Sequence, residues 1–320
     1  MTIPELDSIK EYFNRNNKTV PYKSFHSSKV HSVDWSCDGN RLASGSVDRT
    51  ISIFQLDKDR LTKESTLRGH SDSVDQLSWH PAESELLATA SLDKSVRLWD
   101  ARTAKNVATI QTKGENINIC WSPDGQTIAV GNKDDLITFI DSRQLKIRVE
   151  QSFKFEVNEI SWNNDNDLFF LTSGQGCIHV LSYPDLQPLK VLNAHPANCI
   201  CIEFDSTGNS FAVGSADAMV SIWDAKHLSC VRTISRLEWP ARAISFSHDG
   251  KLLASGSEDL HIDISYVETG EKVFGVQVES PTFTVSFHPN RYLLAFACDD
   301  KDQHQHETGT VKLFGVFGGS

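Results

Sequence analysis

Three residues near the start of the chain have the side-chain types of a hydrolytic triad. His26, Ser44 and Asp48 could supply the base, the nucleophile and the orienting carboxylate of acyl transfer. Similar polar sets recur further along the chain, at His70, Thr89, Asp93 and Trp99, and at His195, Asp217 and Trp223. An active site needs its nucleophile once, whereas polar sets that recur in imperfect copies are typical of a repeated fold that satisfies its buried polar groups. We therefore predict structural hydrogen-bond networks and no catalysis at these positions.

The elements that would hold these residues repeat with a regular period. An aromatic residue closes a short apolar strand at seven positions, separated by 41 to 44 residues: Trp35, Trp79, Trp121, Trp162, Phe204, Phe246 and Phe287. This period is typical of a four-stranded propeller blade and is longer than that of helical repeats of about 34 residues or of leucine-rich repeats below about 30. One blade cannot bury both of its faces, so we predict an all-β propeller of seven blades closed in a ring.

The second repeat carries the clearest family signature. Gly69-His70 precedes its first strand and Trp99-Asp100 ends its third, as in WD repeats, which the chain resembles. The resemblance implies that His70, Thr89, Asp93 and Trp99 form a hydrogen-bonded chain within the blade. It also implies that the loops before the inner strands lie on the face where such propellers bind partners.

The two chain ends are expected to meet in one blade. The last repeat stops after its third strand, Thr310 to Phe314, and residues 19–25 are available as the missing fourth strand, which would leave no open sheet edge. Before them, Ile3, Leu6, Ile9 and Phe13 fall on one face of a predicted helix. That face could pack on the propeller or on a partner. The predicted units are a helical extension at 1–17, a propeller at 18–316 and a tail at 317–320.

Composition excludes several classes of function. The chain has 320 residues, 39% of them hydrophobic, and no linker interrupts the repeats, which favours one domain. A net charge of −11 argues against a protein that holds nucleic acid alone, because phosphate binding needs clustered basic residues. The polar start and the lack of a long apolar run predict a soluble intracellular protein without membrane contact.

The cysteine pattern gives no metal site. The chain has seven cysteines, and the closest two, Cys199 and Cys201, would share one face of a strand without the two further soft ligands that zinc requires. We predict buried, reduced thiols and no metal or other cofactor.

Two sets of residues are candidates for partner binding. Trp239 lies outside the core positions, in a loop with Arg242 nearby, which is the composition of an interface hot spot. The alternative is a tryptophan folded over its neighbours. The resemblance to WD repeats implies that the second set faces the mouth of the central channel: His31, Asp75, Ile117, Asn158, Ile200, Arg242 and Phe283. It lacks the aromatic cage that would capture a methylated lysine.

Two further patterns have competing explanations. His304 and His306 lie in an insertion between the second and third strands of the last blade, at residues 299–309; a metal site there would lack preorganised geometry, so we expect a solvated loop. Residues 98–102 match a short WDxR pattern found in substrate receptors of cullin–RING ubiquitin ligases. This gives an alternative function in which Arg102 contacts the ligase adaptor.

Four segments are more specific than WD repeats in general. Residues 113–125, 153–165, 279–285 and 294–302 include loop and rim positions that folding alone would not fix, and they resemble the WD-repeat subunits of the THO complex. The resemblance implies a nuclear, non-catalytic scaffold without a small-molecule substrate, which supports messenger RNA packaging and export. Its implied partners are the helical THO subunits and, at the level of the whole assembly, a DEAD-box RNA helicase and an export adaptor, with mRNA contacted indirectly.

Overall fold

The computed structural model describes residues 3–301 and 309–316. These contain one helix, α1 (Ile3–Arg15), and strands that form seven four-stranded antiparallel sheets. The strands of each blade are given from the inner to the outer one. Blade 1 comprises β2 (Val30–Trp35), β3 (Arg41–Ser46), β4 (Thr50–Asp57) and β5 (Arg60–Arg68), and blade 2 comprises β6 (Val74–Trp79), β7 (Leu86–Ser91), β8 (Ser95–Asp100) and β9 (Lys105–Gln111). Blade 3 comprises β10 (Asn116–Trp121), β11 (Thr127–Asn132), β12 (Leu136–Asp141) and β13 (Lys146–Ser152), and blade 4 comprises β14 (Val157–Trp162), β15 (Leu168–Ser173), β16 (Cys177–Ser182) and β17 (Pro188–Asn193).

The remaining blades follow the same order. Blade 5 comprises β18 (Cys199–Phe204), β19 (Ser210–Ser215), β20 (Val220–Asp224) and β21 (Ser229–Ile234), and blade 6 comprises β22 (Ala243–Phe246), β23 (Leu252–Gly256), β24 (His261–Tyr266) and β25 (Lys272–Gln277). Blade 7 comprises β26 (Thr282–Phe287), β27 (Leu294–Cys298), β28 (Gly309–Val316) and β1 (Lys18–His26). The prediction of a seven-bladed propeller is confirmed.

The core lies between neighbouring blades. Ile51 and Ile53 of blade 1 pack in one apolar cluster with Leu77 and Trp79 of blade 2, and similar clusters recur around the ring. The ring nitrogen of Trp79 donates to the backbone carbonyl of Asp34 in the preceding blade at 3.0 Å. Trp35 and Trp121 make the same bond to their preceding blades, so these three tryptophans join blades as well as filling the core.

The ring closes through the two ends of the described chain, as predicted. β1 pairs antiparallel with β28, with Val20 opposite Leu313 and Tyr22 opposite Val311. The blade thus contains one strand from the start of the chain and three from its end. Unfolding this blade requires both ends to separate.

The N-terminal helix packs on the propeller itself, which decides between the two predicted placements. Ile9 and Phe13 are buried in the apolar cluster of blades 6 and 7, and Leu6 packs against that cluster. Among the described residues, no helix is long and apolar enough to cross a membrane.

Candidate partner-binding surface

The triad-like residues of blade 1 form a closed hydrogen-bond network. Nε2 of His26 lies 2.7 Å from Oγ of Ser44, and Nδ1 lies 3.0 Å from a carboxylate oxygen of Asp48. Burial opposes ionisation of Asp48, but the hydrogen bonds from His26 and Thr50 outweigh it and lower the pKa of this carboxyl well below its usual range. Because Ser44 is fully buried, no substrate could reach its hydroxyl. The arrangement can fix a turn and cannot act as a nucleophilic site.

Blade 2 contains the same network with a tryptophan added. His70 contacts Asp93 at 2.8 Å and Thr89 at 2.7 Å, and the ring nitrogen of Trp99 donates to Oγ1 of Thr89 at 2.9 Å. Asp93 also accepts the backbone N–H of Ser71 at 3.0 Å. One carboxylate therefore holds both the histidine and the loop before the inner strand.

Blade 5 uses a hydroxyl from another strand. His195 contacts Asp217 at 2.9 Å and Ser221 at 2.8 Å, and Trp223 donates to the same Ser221 hydroxyl at 2.8 Å. Ser221 lies on the third strand of its blade, whereas Thr89 lies on the second. Aligning the repeats by sequence missed Ser221, because the alignment places the expected hydroxyl at the position of Thr89.

Blade 6 replaces the histidine network with an ion pair. Arg236 donates from Nε and Nη2 to the two carboxylate oxygens of Asp263, at 2.9 and 2.8 Å. Asp263 is fully buried, so this bidentate pair satisfies a charge that would otherwise be unpaired inside the sheet. Asp259 is retained in this blade and accepts the backbone N–H of Glu238 at 3.1 Å and that of Trp239 at 3.2 Å.

These two contacts present Trp239 to solvent. The tryptophan is 53% exposed, so it does not fold over its neighbours. Leu260, in the turn that follows Asp259, is 58% exposed. Sequence analysis missed Leu260, although an apolar residue directly after the turn residue Asp259 is expected to be exposed. Two large apolar side chains thus project from adjacent loops that share one buried carboxylate.

Arg242 lies directly before the inner strand of blade 6, beside this loop. Its guanidinium pairs with Glu258 at 3.2 Å, and it lines the mouth of the central channel with Asp75, His31 and Phe283. Lys29 lies over the ring of Phe283, with its amine 4.1 Å from the ring centroid. The channel mouth therefore combines charged and aromatic side chains, and the ring of Phe283 already contacts the amine of Lys29.

Two residues of the predicted rim behave differently. Asn158 donates its side-chain amide to Oδ1 of Asn198 at 2.6 Å and to the carbonyl of Cys199 at 3.0 Å, so it links blades 4 and 5. In blade 5 the residues that line the channel are Cys201, Ile202 and Glu203 and do not include Ile200. His31, Asp75, Ile117, Arg242 and Phe283 line the channel, and the part of the rim residues in partner binding stays a prediction.

The channel interior contains three carboxyl groups that sequence analysis missed. Asp34 accepts the backbone N–H of Trp79 at 3.1 Å, and Glu203 accepts that of Phe246 at 3.1 Å, in each case from the next blade. Glu159 accepts the side-chain amide of Gln76 at 3.1 Å across the channel. Their signal was an acid at the third or fifth position of an inner strand, positions that also face the channel.

Burial governs the ionisation of these three groups. It raises the pKa of Asp34 and that of Glu159 to about 7, and it raises the pKa of Glu203 to about 8, against the opposing effect of the accepted hydrogen bonds. The channel has a volume of about 430 Å³. Part of this carboxyl set is therefore protonated at neutral pH, which reduces charge repulsion inside the ring.

The other candidate sites are Arg102, the two histidines of the last blade and the cysteines. Arg102 forms a surface ion pair with Glu85 at 3.0 Å and lies 3.7 Å from Asp100, and its side chain is 62% exposed. His304 and His306 lie outside the described residues. The described part of the chain contains no group of three His, Cys, Asp or Glu side chains that could hold a metal ion. All seven cysteines are unpaired; Cys199, Cys201 and Cys298 are buried, whereas Cys230 is exposed, contrary to the expectation of buried thiols.

Comparison with known proteins gives a consistent result. A family model described as "THOC3 beta-propeller domain" matches residues 26–297. The chain is 49% identical over 307 residues to "THO complex subunit 3" of Arabidopsis thaliana, covering 93% of this chain and 98% of that protein. It is 31% identical over 337 residues to "WD repeat-containing protein AAC3" of Dictyostelium discoideum, covering 97% of this chain and 69% of that protein.

A solved structure supports the fold alone. The β-propeller domain of Cps50 (Swd1) from Myceliophteria thermophila superimposes with a TM-score of 0.80 at 18% identity, covering 93% of this chain and all of that one. At this identity the match supports the propeller architecture and carries no argument about partners.

Proposed function

Because the chain belongs to the THO complex subunit 3 family, we propose that it acts in the nucleus as a scaffold of the THO complex and supports mRNA packaging and export. The observation that carries this proposal is the 49% identity over nearly the full length of a THO complex subunit. The family and the WD-repeat propeller make the protein non-enzymatic. Its role is therefore to bind other proteins.

We propose that the helical THO subunits bind the loop face of blade 6. Trp239 and Leu260 supply exposed apolar area there, and the Arg242–Glu258 pair supplies polar contacts at the edge. Large aromatic and arginine side chains dominate binding energy at protein interfaces. The other rim residues would make further contacts around Trp239 and Leu260; they are His31, Asp75, Asn158 and Phe283.

Contact with mRNA, with a DEAD-box helicase and with an export adaptor would be made at the level of the whole assembly. The net charge of −11 opposes binding of phosphate-rich RNA by the chain alone. We also propose that residues 18–316 are the folding unit, with residues 1–17 as an extension docked on it and residues 317–320 as a tail.

Affinity purification of the tagged full-length chain from nuclei tests this function. We expect stoichiometric helical THO subunits that remain bound at physiological salt, and the same set with Arg102→Ala. Recovery of a cullin adaptor without THO subunits, and its loss with Arg102→Ala, would replace the proposal with the ubiquitin-ligase alternative. Fluorescence anisotropy with the isolated chain should show only weak, salt-sensitive RNA binding; tight binding at physiological salt would overturn the indirect contact with mRNA.

A further inference from the structure

The loop face of blade 6 differs from that of the other blades at two positions. Trp239 lies seven residues before the aromatic residue that ends the inner strand, and Leu260 lies in the turn between the second and third strands. The corresponding pairs in blades 1 to 5 and 7 are Ser28 and Arg49, Asp72 and Lys94, Gly114 and Asp135, Phe155 and Gly176, Ala197 and Ala218, and Ser280 and Lys301. Two large apolar side chains at these positions are therefore a feature of blade 6 and not of the repeat.

The indole of Trp239 has no partner within the described part of the chain. The hydrogen bond that Asp259 makes with this residue goes to its backbone N–H, at 3.2 Å, and the ring itself forms no aromatic pair there. Phe155, at the corresponding position of blade 4, instead stacks on the ring of His179 with centroids 3.8 Å apart. Trp239 therefore presents an aromatic face to solvent that the fold does not use.

The segments around this apolar pair are acidic. Residues 237–242, 257–260 and 278–282 contain the acids Glu238, Glu258, Asp259 and Glu279, and their Lys or Arg content is Arg242 alone. Asp259 is buried and accepts backbone N–H groups, and Glu258 pairs with Arg242 at 3.2 Å. Glu238 and Glu279 are exposed and form no ion pair with any residue of 3–301 or 309–316. The loop face of blade 6 thus has two negative charges that the chain does not balance.

These two carboxylate residues lie beside the two apolar ones. Glu238 directly precedes Trp239 in the loop. Val278, directly before Glu279, donates its backbone N–H to the carbonyl of Leu260 at 3.1 Å. Each exposed apolar residue therefore has one unpaired acidic residue next to it.

We propose that the loop face of blade 6 binds a basic segment of a helical THO subunit, with a lysine or arginine side chain of that segment on the indole of Trp239. The face of an aromatic ring attracts a cation, and tryptophan does so most strongly. Glu238 would supply the opposite charge to the same cation. An apolar side chain of the segment would pack on Leu260, and a second basic residue would face Glu279. The proposal rests on the proposed function, because the segment belongs to a THO subunit.

Charge complementarity favours this occupant over an acidic one. An acidic segment would meet Glu238 and Glu279 as like charges, which opposes association. Arg242 does not offset this repulsion, because its guanidinium is paired with Glu258. A segment with apolar and basic side chains matches both properties of the surface.

Charge reversal tests the proposal by biolayer interferometry with the purified helical THO subunits. The full chain carries Glu238→Lys and Glu279→Lys. A matched control carries Glu83→Lys and Asp165→Lys, which change the net charge equally at exposed positions in loops after the inner strands of blades 2 and 4. We expect the dissociation constant to rise about tenfold or more in the first variant and less than about twofold in the control, with both melting temperatures unchanged. Equal effects of the two variants would overturn the proposal.

Photo-crosslinking in the assembled complex identifies the segment itself. The full chain carries p-benzoylphenylalanine in place of Leu260, and a control carries it in place of Lys94, at the corresponding turn of blade 2. We expect mass spectrometry to identify, at position 260 only, a segment of a THO subunit that has a net positive charge. Glu238→Lys with Glu279→Lys should reduce that crosslink.

The outcomes separate this proposal from the proposed function. A crosslink at position 260 to a neutral or acidic segment, or to a second copy of the chain, would overturn the basic partner segment and leave the scaffold function in place. THO subunits that co-purify without a crosslink at position 260, or with an equal crosslink at position 94, would overturn both this proposal and the placement of the interface on blade 6. Absence of THO subunits from the purified material would overturn the proposed function and, with it, the proposal that rests on it.

Discussion

Phe13 of α1 stacks on Phe314 of β28 with ring centroids 5.7 Å apart and ring planes inclined by 5°. Phe314 lies opposite Thr19 in the strand pairing that closes the ring. The N-terminal helix therefore covers the blade in which the two ends of the chain meet, and its packing supports the closure.

Replacing Phe13 with alanine should show the strength of this contact. Phe13 is fully buried against three aromatic rings, so Phe13→Ala removes the transfer free energy of the ring and leaves a cavity, at a cost of about 3–5 kcal/mol in the free energy of unfolding. Equilibrium urea unfolding measures this difference. Val107→Ala, at an exposed outer-strand position, is the control and should change stability by no more than about 0.5 kcal/mol. Equal effects would show that α1 does not stabilise the ring.

Two truncations should separate the helix from the closing strand. Removal of residues 1–17 exposes the apolar cluster beneath α1 but keeps β1, so we expect a folded, monomeric chain with a lower melting temperature. Removal of residues 1–25 also takes most of β1 and leaves the edge of β28 unpaired, so we expect aggregation. Size-exclusion chromatography with light scattering distinguishes these states. A monomeric product from the longer deletion would contradict the clasp as a requirement for solubility.

The sequence predicted the fold well because its decisive signals repeat. Seven aromatic positions with one period, and a last repeat that lacked a strand, were enough to predict the blade number and the closure at β1 and β28. The face of α1 was predictable from the spacing of Ile9 and Phe13, but its location was not. That location depends on Phe274, Tyr292 and Phe314, which are distant in sequence and meet only in the folded ring.

Candidate sites were harder to predict because they depend on exceptions to the repeat. Ser221 supplies the blade 5 hydroxyl from another strand, and Arg236 with Asp263 replaces the histidine network in blade 6. Neither substitution follows from aligning the repeats with blade 2. The channel carboxylates were missed for a related reason. One position of each inner strand was predicted to face the channel, at its mouth, whereas Asp34 and Glu203 face it from deeper positions of their strands.

The channel carboxyl groups should make the protein less stable at mildly alkaline pH. A carboxyl group whose pKa is raised on folding stabilises the fold while it is protonated. This contribution is complete below the pKa of the unfolded chain, which is near 4, and it is lost as the pH rises through the pKa of the folded chain. The folded pKa is about 7 for Glu159 and about 8 for Glu203. We therefore expect the melting temperature to fall between pH 6.5 and 9. Below pH 6.5, His288 acts in the other direction, since burial lowers its pKa to about 4.

Glu203→Gln should reduce this pH dependence. The amide keeps an oxygen to accept the backbone N–H of Phe246 and cannot ionise, so the variant should lose part of the decline in melting temperature and be more stable than the unsubstituted chain at pH 9. Differential scanning fluorimetry across pH 6.5–9 measures the slope. Glu268→Gln, at an exposed position, is the control and should leave it unchanged. An unaltered slope in Glu203→Gln would show that Glu203 does not titrate in this range.

The loop face of blade 6 should dominate association with the helical THO subunits. Trp239→Ala combined with Arg242→Ala removes an exposed aromatic ring and a charged edge contact, and it leaves Asp259 to hold the loop through the backbone. We expect association to weaken by about 2 kcal/mol or more, roughly 30-fold in the dissociation constant, without a lower melting temperature. Biolayer interferometry with the purified partner subunits measures the change. The control, Val191→Ala, alters an exposed apolar residue on the outer strand of blade 4 and should bind normally. Unchanged binding by the double variant would overturn the loop face of blade 6 as the principal contact.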